Sequence, residues 1–199
     1  MMKYSAGMVS CLFWLNETLN TIPYYLDKTS LSDMRKIATS QNLYQVRSED
    51  RCKRIAGVVY KRLNTLTIEL IEKMKEADIS TIRLIHLISI MKSDLLFFDF
   101  MNLVFKKTLQ LGKKNLEDAD IKNFFDEKIV QSEEVSNFST SAIAKLKQTY
   151  VKFLIEAKIV ENAKSKKILI PYIDYRLQDL LKQNGYGFFL STITGIDYE

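Results

Sequence analysis

The sequence predicts an all-α fold, with two helix-turn-helix-like lobes around a shared helical core and a short β-hairpin as a wing on the second lobe. Three observations predict it. Only two prolines and six glycines interrupt 199 residues, which favours long helices over a turn-rich β architecture. Apolar residues recur at helical spacing through most of the chain. The order short helix, connector, longer basic helix occurs once in each half without any repetition of sequence. We place the N-terminal lobe at residues 1–111 and the C-terminal, winged-helix-like lobe at 112–199, within one compact globular unit. A composition of 47% hydrophobic and 27% charged residues suits a folded protein.

The elements follow in order. A first helix is expected from Ser5 to Leu19, burying Val9, Leu12, Phe13, Leu15 and Leu19, with Pro23 ending it or opening the next turn. Ser30 or Thr29 caps a short helix, LSDMRKIATS, with Asp33 in its first turn. After the connector QNLYQV, Ser48 caps a basic helix whose first turn holds Glu49 and Asp50, near the positive end of its dipole. On a helical wheel Arg47, Arg51, Arg54, Lys61 and Arg62 fall within an arc of about 100°. Cys52, Ile55, Ala56, Val59, Leu63 and Leu66 occupy a neighbouring arc centred roughly 120° away. Residues 67–76 keep the apolar period and are expected to continue this helix. From Ser80 or Thr81, one or two helices apolar on most sides form the central element, closed by Gly112.

The second half restarts with LEDADIKNFFDEK, a short helix burying Leu116, Ile121, Phe124 and Phe125. A connector containing SEEVSN leads to a long helix capped by Ser139 or Thr140. This helix buries Ile143, Leu146, Tyr150, Phe153 and Ala157 and shows Ser141, Lys145, Gln148 and Lys152 on its other side. Ile159–Val160 and Ile168–Ile170 then flank a lysine-bearing tip, which reads as the hairpin. Its tip, ENAKSKK, carries Lys164, Lys166 and Lys167 and lacks an Asn-Gly turn signal. YRLQDLLKQNG is a closing helix that stops at Gly185.

Charge is segregated along this plan. The net charge is +5. Residues 28–66 hold nine Lys/Arg against three Asp/Glu, and residues 139–182 hold nine against four. Residues 67–138 between them hold ten against thirteen. Two basic regions separated by an acidic one point to an anionic partner, whereas a solvated face alone requires no such blocks.

Other chemistries are poorly served. Cys11 and Cys52 have no CxxC spacing, which argues against a disulfide framework or zinc site and fits a reducing cytoplasm. The apolar start is short and interrupted by Asn16 and Glu17, unlike a signal peptide. Arg83, His86, Lys92, Asp94 and Asp99 break up the apolar stretch from Ile79 to Leu111, so a membrane span is not expected. His86, the only histidine, has apolar neighbours three and four residues away and reads as a core or interface imidazole. Asp118 and Asp120 suit a helix's first turn, while Asp94 and Asp99 in SDLLFFDF call for a structural ion-pair partner. No Gly-rich phosphate loop, GxSxG or metal-ligand cluster occurs, so neither an enzyme nor a cofactor is expected. Double-stranded DNA fits best: lysines and arginines on a groove-sized helix contact phosphates, Arg51 and Arg54 can reach guanine edges, and Gln148 can pair with adenine. Two readings compete. One is an adaptor gripping an acidic protein surface; the other is an RNA-binding helical protein, for which stacking platforms are not evident.

Several stretches resemble the BrxA-type proteins of bacteriophage exclusion (BREX) systems. They are YSAGMVSCLFWLNETL, NLYQVRSEDRCKRIAGVVYKRLNTL, LLFFDFMNLVF, FSTSAIAKLKQTYVKFLIEAKIV and ILIPYIDYRLQDLL, in order across nearly the whole chain. Phe138 stands where the family more often has Trp. The resemblance implies an all-α protein encoded beside a DNA methyltransferase, an ATPase and a phosphatase-like protein, binding duplex DNA without catalysing anything. Carried onto these residues, it implies a DNA face of Arg47, Arg51 and Arg54, then Ser141, Lys145 and Gln148 with the wing lysines. The charge segregation reaches the same regions independently.

Overall fold

In the computed structural model, which describes residues 3–198, helices carry the architecture and no strand forms among the described residues. The chain divides into two compact units, Trp14–Ser89 and a second built from Ile90–Glu199 with the segment Met1–Phe13. This division differs from the one drawn at residue 111 from the sequence.

The Trp14–Ser89 unit contains α1 (Leu15–Leu26), α2 (Leu31–Ser40), α3 (Glu49–Leu63), α4 (Ile68–Glu76) and most of α5 (Ile79–Ser93). Trp14 takes a left-handed backbone, φ 55°, and so delays the first helix to Leu15 rather than Ser5. Pro23 does not end α1: it sits at the start of the last turn, where its missing amide removes one helical hydrogen bond. Ser30 caps α2 by accepting from the Asp33 amide at 3.1 Å, and Ser48 caps α3 by accepting from the Arg51 amide. Residues 67–76 do not continue α3. The chain turns through Asn64–Thr67, with the Thr65 and Leu66 amides bonded to the Arg62 and Leu63 carbonyls, and α4 starts afresh. Asp78 opens α5: its carboxylate accepts from the Ser80 and Thr81 amides and hydroxyls, which holds its pKa well below the usual range.

The second unit opens with a 3₁₀ turn, Gly7–Ser10, in place of the first turns of the expected helix. Asp94 breaks the long apolar stretch into two, accepting from the Phe97 amide at 2.8 Å to cap α6 (Leu95–Phe100). A π-helical segment (Met101–Lys106) and α7 (Lys107–Gln110) continue α6. Then come α8 (Asp118–Gln131), the single turn α9 (Glu133–Ser136), α10 (Thr140–Glu156), α11 (Tyr175–Gln183) and α12 (Gly187–Thr194). The connector SEEVSN is thus partly helical, and α12 has no counterpart among the elements expected from the sequence. Gly195, φ 74°, ends α12 against α7, where a Cβ would lie 2.7 Å from that of Leu109.

The core of this unit is aromatic. Tyr150 of α10 lies between Phe97, Phe100 and Phe125, at ring separations of 4.9, 5.2 and 5.7 Å. Beside it Lys128 of α8 pairs with Asp99 and donates to Tyr4 at 2.8 Å, while the Tyr4 hydroxyl donates to Asp99 at 2.6 Å. The predicted structural ion pair of Asp99 is therefore present, and it fastens the N-terminal segment to α6 and α8. Burial disfavours the Lys128 charge, but the hydrogen bonds to Asp99 and Tyr4 outweigh it and leave its pKa raised. A raised lysine pKa stabilises the fold at neutral pH and stops doing so as pH climbs past the lysine range.

Replacing Lys128 by alanine strands the Asp99 carboxylate and is expected to cost about 3 kcal/mol at pH 7. The gap to the wild type narrows above about pH 10.4. Urea melts at both pH values check this; an unchanged midpoint at pH 7 contradicts it.

Candidate nucleic-acid interface

Helix α3 rests on α1 and α2 through Cys52, Ile55, Ala56, Val59 and Leu63, all at most 2% exposed. With that flank buried, the roll of the helix is fixed and Arg51, Arg54 and Lys61 face outward, as the wheel predicts. Arg47 is exposed just before the cap. Among the described residues no ion pair holds Arg47, Arg51 or Arg54, whereas the neighbouring Lys53 is paired with Glu49 at 3.3 Å. These three guanidinium groups present uncompensated positive charge.

Arg62 leaves the set. It lies on the predicted arc but is 0% exposed, its guanidinium 5.7 Å from the Trp14 ring centre. The left-handed turn that starts α1 brings the indole over the last turn of α3, and period alone does not reveal such a cover.

The connector between α2 and α3 is a built turn. Tyr44 is buried and shares a 2.8 Å hydrogen bond with Thr21 of α1, and burial pushes its pKa up to about 12. Asn42 and Gln45 take left-handed backbones, and Asn42 Oδ1 accepts from the Val46 amide at 3.0 Å. Arg35 of α2 was missed in the sequence. It is exposed and lies across Gly57 of α3, where a Cβ would stand 3.1 Å from its Nη2. Its signal, an arginine on the shorter helix facing the one glycine of the longer, is visible only once the two helices are docked.

In the second unit Ser139 caps α10 by accepting from the Ala142 amide at 3.2 Å. Ile143, Leu146, Tyr150 and Phe153 are buried. Ser141, Lys145, Gln148 and Lys152 are consequently directed outward along one stripe. Lys152 stands 3.7 Å from Glu156, a pair too exposed to hold it firmly. Lys145 has no ion-pair partner among the described residues.

The expected hairpin reduces to isolated bridges. Val160 pairs with Ile168 and Asn115 with Lys167, both antiparallel. Hydrogen bonds from Glu161 N to Lys167 O (2.9 Å), Leu169 N to Ile159 O (2.9 Å) and Ile168 N to Lys114 O (2.8 Å) set this register. The run from Lys114 to Leu116, which the sequence pattern does not tie to this feature, thus lies on the far side of 166–169. The tip is ordered by Asn162, whose Oδ1 accepts from the Lys164 and Ser165 amides at 2.9 Å each. Lys164 and Lys167 are exposed, but Lys166 is bound to Asp118 at 3.0 Å with a side chain only 15% exposed. Its charge is neutralised within the fold.

His86 is fully buried, and among the described residues no group of three or more His, Cys, Asp or Glu side chains could hold a metal ion. No helix among them is long and apolar enough to cross a membrane.

Comparison with known proteins gives the following likenesses. Residues 2–185 match a family model described as BrxA. The "BREX protein BrxA" of Bacillus cereus (strain H3081.97) is 37% identical over 164 residues, covering 82% of this chain and 82% of the relative. The fold is similar to the crystal structure of an uncharacterized protein from Magnetospirillum magneticum, with a TM-score of 0.83 and 16% identity over 98% of this chain and 100% of that one. At that identity the likeness concerns the fold alone.

The contrast between Arg54 and Arg62 is testable. Arg62→Ala empties a buried site and is expected to destabilise the fold by about 3 kcal/mol, against less than about 0.5 for Arg54→Ala. Thermal melts of the two variants check this, and equal melting temperatures contradict the assignment.

Proposed function

The chain belongs to the BrxA family, and from that premise we propose that it is a non-enzymatic component of a BREX phage-defence system that binds double-stranded DNA. The observation that carries the reading is the outward stripe of Arg47, Arg51 and Arg54. These groups are exposed and lack ion-pair partners among the described residues, on a helix whose opposite flank is locked in a core. In this reading α2, the Tyr44-anchored connector and α3 act as a helix-turn-helix, with α3 in the major groove. Its guanidinium groups neutralise phosphates and reach guanine edges, and Lys61 adds a backbone contact farther along.

The second element works the same way in its own unit. Helix α10 presents Ser141, Lys145, Gln148 and Lys152, and the bridged tip presents Lys164 and Lys167 in the manner of a wing. Lys166 contributes to the tip's shape through Asp118 and makes no phosphate contact. DNA bound this way serves the other proteins of the system as a presented substrate.

Anisotropy titrations against duplex DNA, duplex RNA and single strands at two salt concentrations test the proposal. Arg51→Glu with Arg54→Glu is expected to weaken duplex DNA binding at least tenfold with an unchanged melting temperature; unchanged affinity removes α3 from the interface. Lys164→Ala with Lys167→Ala is expected to lower the slope of log affinity against log salt by about two, one for each phosphate left without its lysine. Tighter binding to duplex RNA than to duplex DNA contradicts the reading.

A further inference from the structure

Beside the polar stripe of α10 lies a groove of about 570 Å³ that shares only its edge, Gln148 and Lys152, with the DNA reading. It is bounded by the start of α8, the C-terminal half of α10 and the tip residue Ala163. The floor is apolar, formed by Ile121, Val151 and Ile155. Lys122, Lys147, Lys152 and Lys166 surround it, and Asp118 is the one carboxylate in the lining. The groove meets the stripe at Gln148 and Lys152 and turns away from it along the face that holds Val151 and Ile155.

We infer that this groove docks an amphipathic, acidic helix of a partner protein. The two halves of its chemistry require that occupant together. An apolar floor open to water gains by taking up leucine-like side chains, which recur on one face of a helix at i, i+3, i+4 and i+7. Lys122, Lys147 and Lys152 on the rim select carboxylates on the flanks of that helix and repel a basic one, while Lys166 is already neutralised by Asp118. Duplex DNA fits the rim but not the floor, because its outer surface is sugar and phosphate with nothing apolar to bury there.

The rim is kept in readiness by weak internal pairs. Lys122 is 2.7 Å from Asp126 and Lys152 is 3.7 Å from Glu156, and all four side chains are well exposed. Exposed pairs of this kind exchange readily for a better-placed carboxylate. Lys147 instead lies over the Phe125 ring at 5.5 Å, which holds its chain along the groove wall. Lys166, tied to Asp118 beneath the tip, fixes the end of the groove.

The test uses the full chain and two fluorescein-labelled helical peptides with leucines at i, i+3, i+4 and i+7. One carries glutamates at the remaining positions and its twin carries lysines there. Anisotropy is expected to show binding of the glutamate peptide and none of its twin. Ile155→Asp, which charges the floor, and Ala163→Trp, which plugs the exposed end, are each expected to weaken binding at least tenfold. The melting temperature of Ala163→Trp reports the fold independently. Arg51→Glu with Arg54→Glu leaves peptide binding unchanged, so a failure of the DNA reading is distinguishable from a failure of this one. Failure of the glutamate peptide to bind, or undiminished binding to both groove variants, overturns the proposal. A tenfold loss of duplex DNA binding in Ala163→Trp with peptide binding intact assigns the groove to nucleic acid and likewise overturns it.

Discussion

The roll of two helices about their own axes is the constraint on which the proposed DNA contacts of each unit depend. Helix α3 has no freedom to turn, because Cys52, Ile55, Ala56, Val59 and Leu63 must all stay out of water. Burying five such side chains outweighs any preference of the arginines for one direction over another. Their outward position is therefore a consequence of core packing, and it costs the fold nothing further. Helix α10 obeys the same logic through Ile143, Leu146, Tyr150 and Phe153, with Tyr150 held among three aromatic rings. Rigid presentation also lowers the entropy lost when these side chains meet a polyanion.

Charge alone is a poor guide to that surface, and the side-chain pairings explain why. Of the cations in the two basic regions, Lys166 is paired with Asp118 with its side chain only 15% exposed, and Arg62 is buried under an indole. The available set is smaller and better defined than the net charge suggests. It is concentrated at the N-terminal half of α3, on α10 and at the bridged tip. The acidic middle of the sequence is largely engaged in the same way. Asp94 and Asp99 serve a cap and an ion pair inside the second unit, and Asp118 and Asp120 bind Lys166 and Lys113.

Much of this was legible in the sequence because helices advertise their buried faces. The caps at Ser30, Ser48 and Ser139, the apolar flanks of α3 and α10, and the stop at Gly185 all follow from local rules that the tertiary fold does not override. What escaped depends on contacts distant in sequence or on unusual backbone. Trp14 in a left-handed conformation sets the first helix back from Ser5 to Leu15, and the same residue removes Arg62 from the surface. Pro23 is accommodated within α1, against its usual role. The break before α4 rests on a turn with no glycine or proline to announce it. Helix α12 lies in a stretch, GFFLSTIT, that is apolar nearly all round and carries no helical period. The tip was legible as a chain reversal, but its pairing with Lys114–Leu116 is long-range and local pattern does not reveal it.

The most direct test exploits the helix starts themselves. The first amides of α3 and α10 have no backbone partner within the helix; Ser48 and Ser139 hold those of Arg51 and Ala142, and the rest exchange with solvent unless something covers them. Hydrogen exchange measured with and without duplex DNA should show slowed exchange at residues 49–51 and 140–142, with residues 175–183 of α11 unchanged. Protection confined to α11, or no change at the start of α3, would contradict the account.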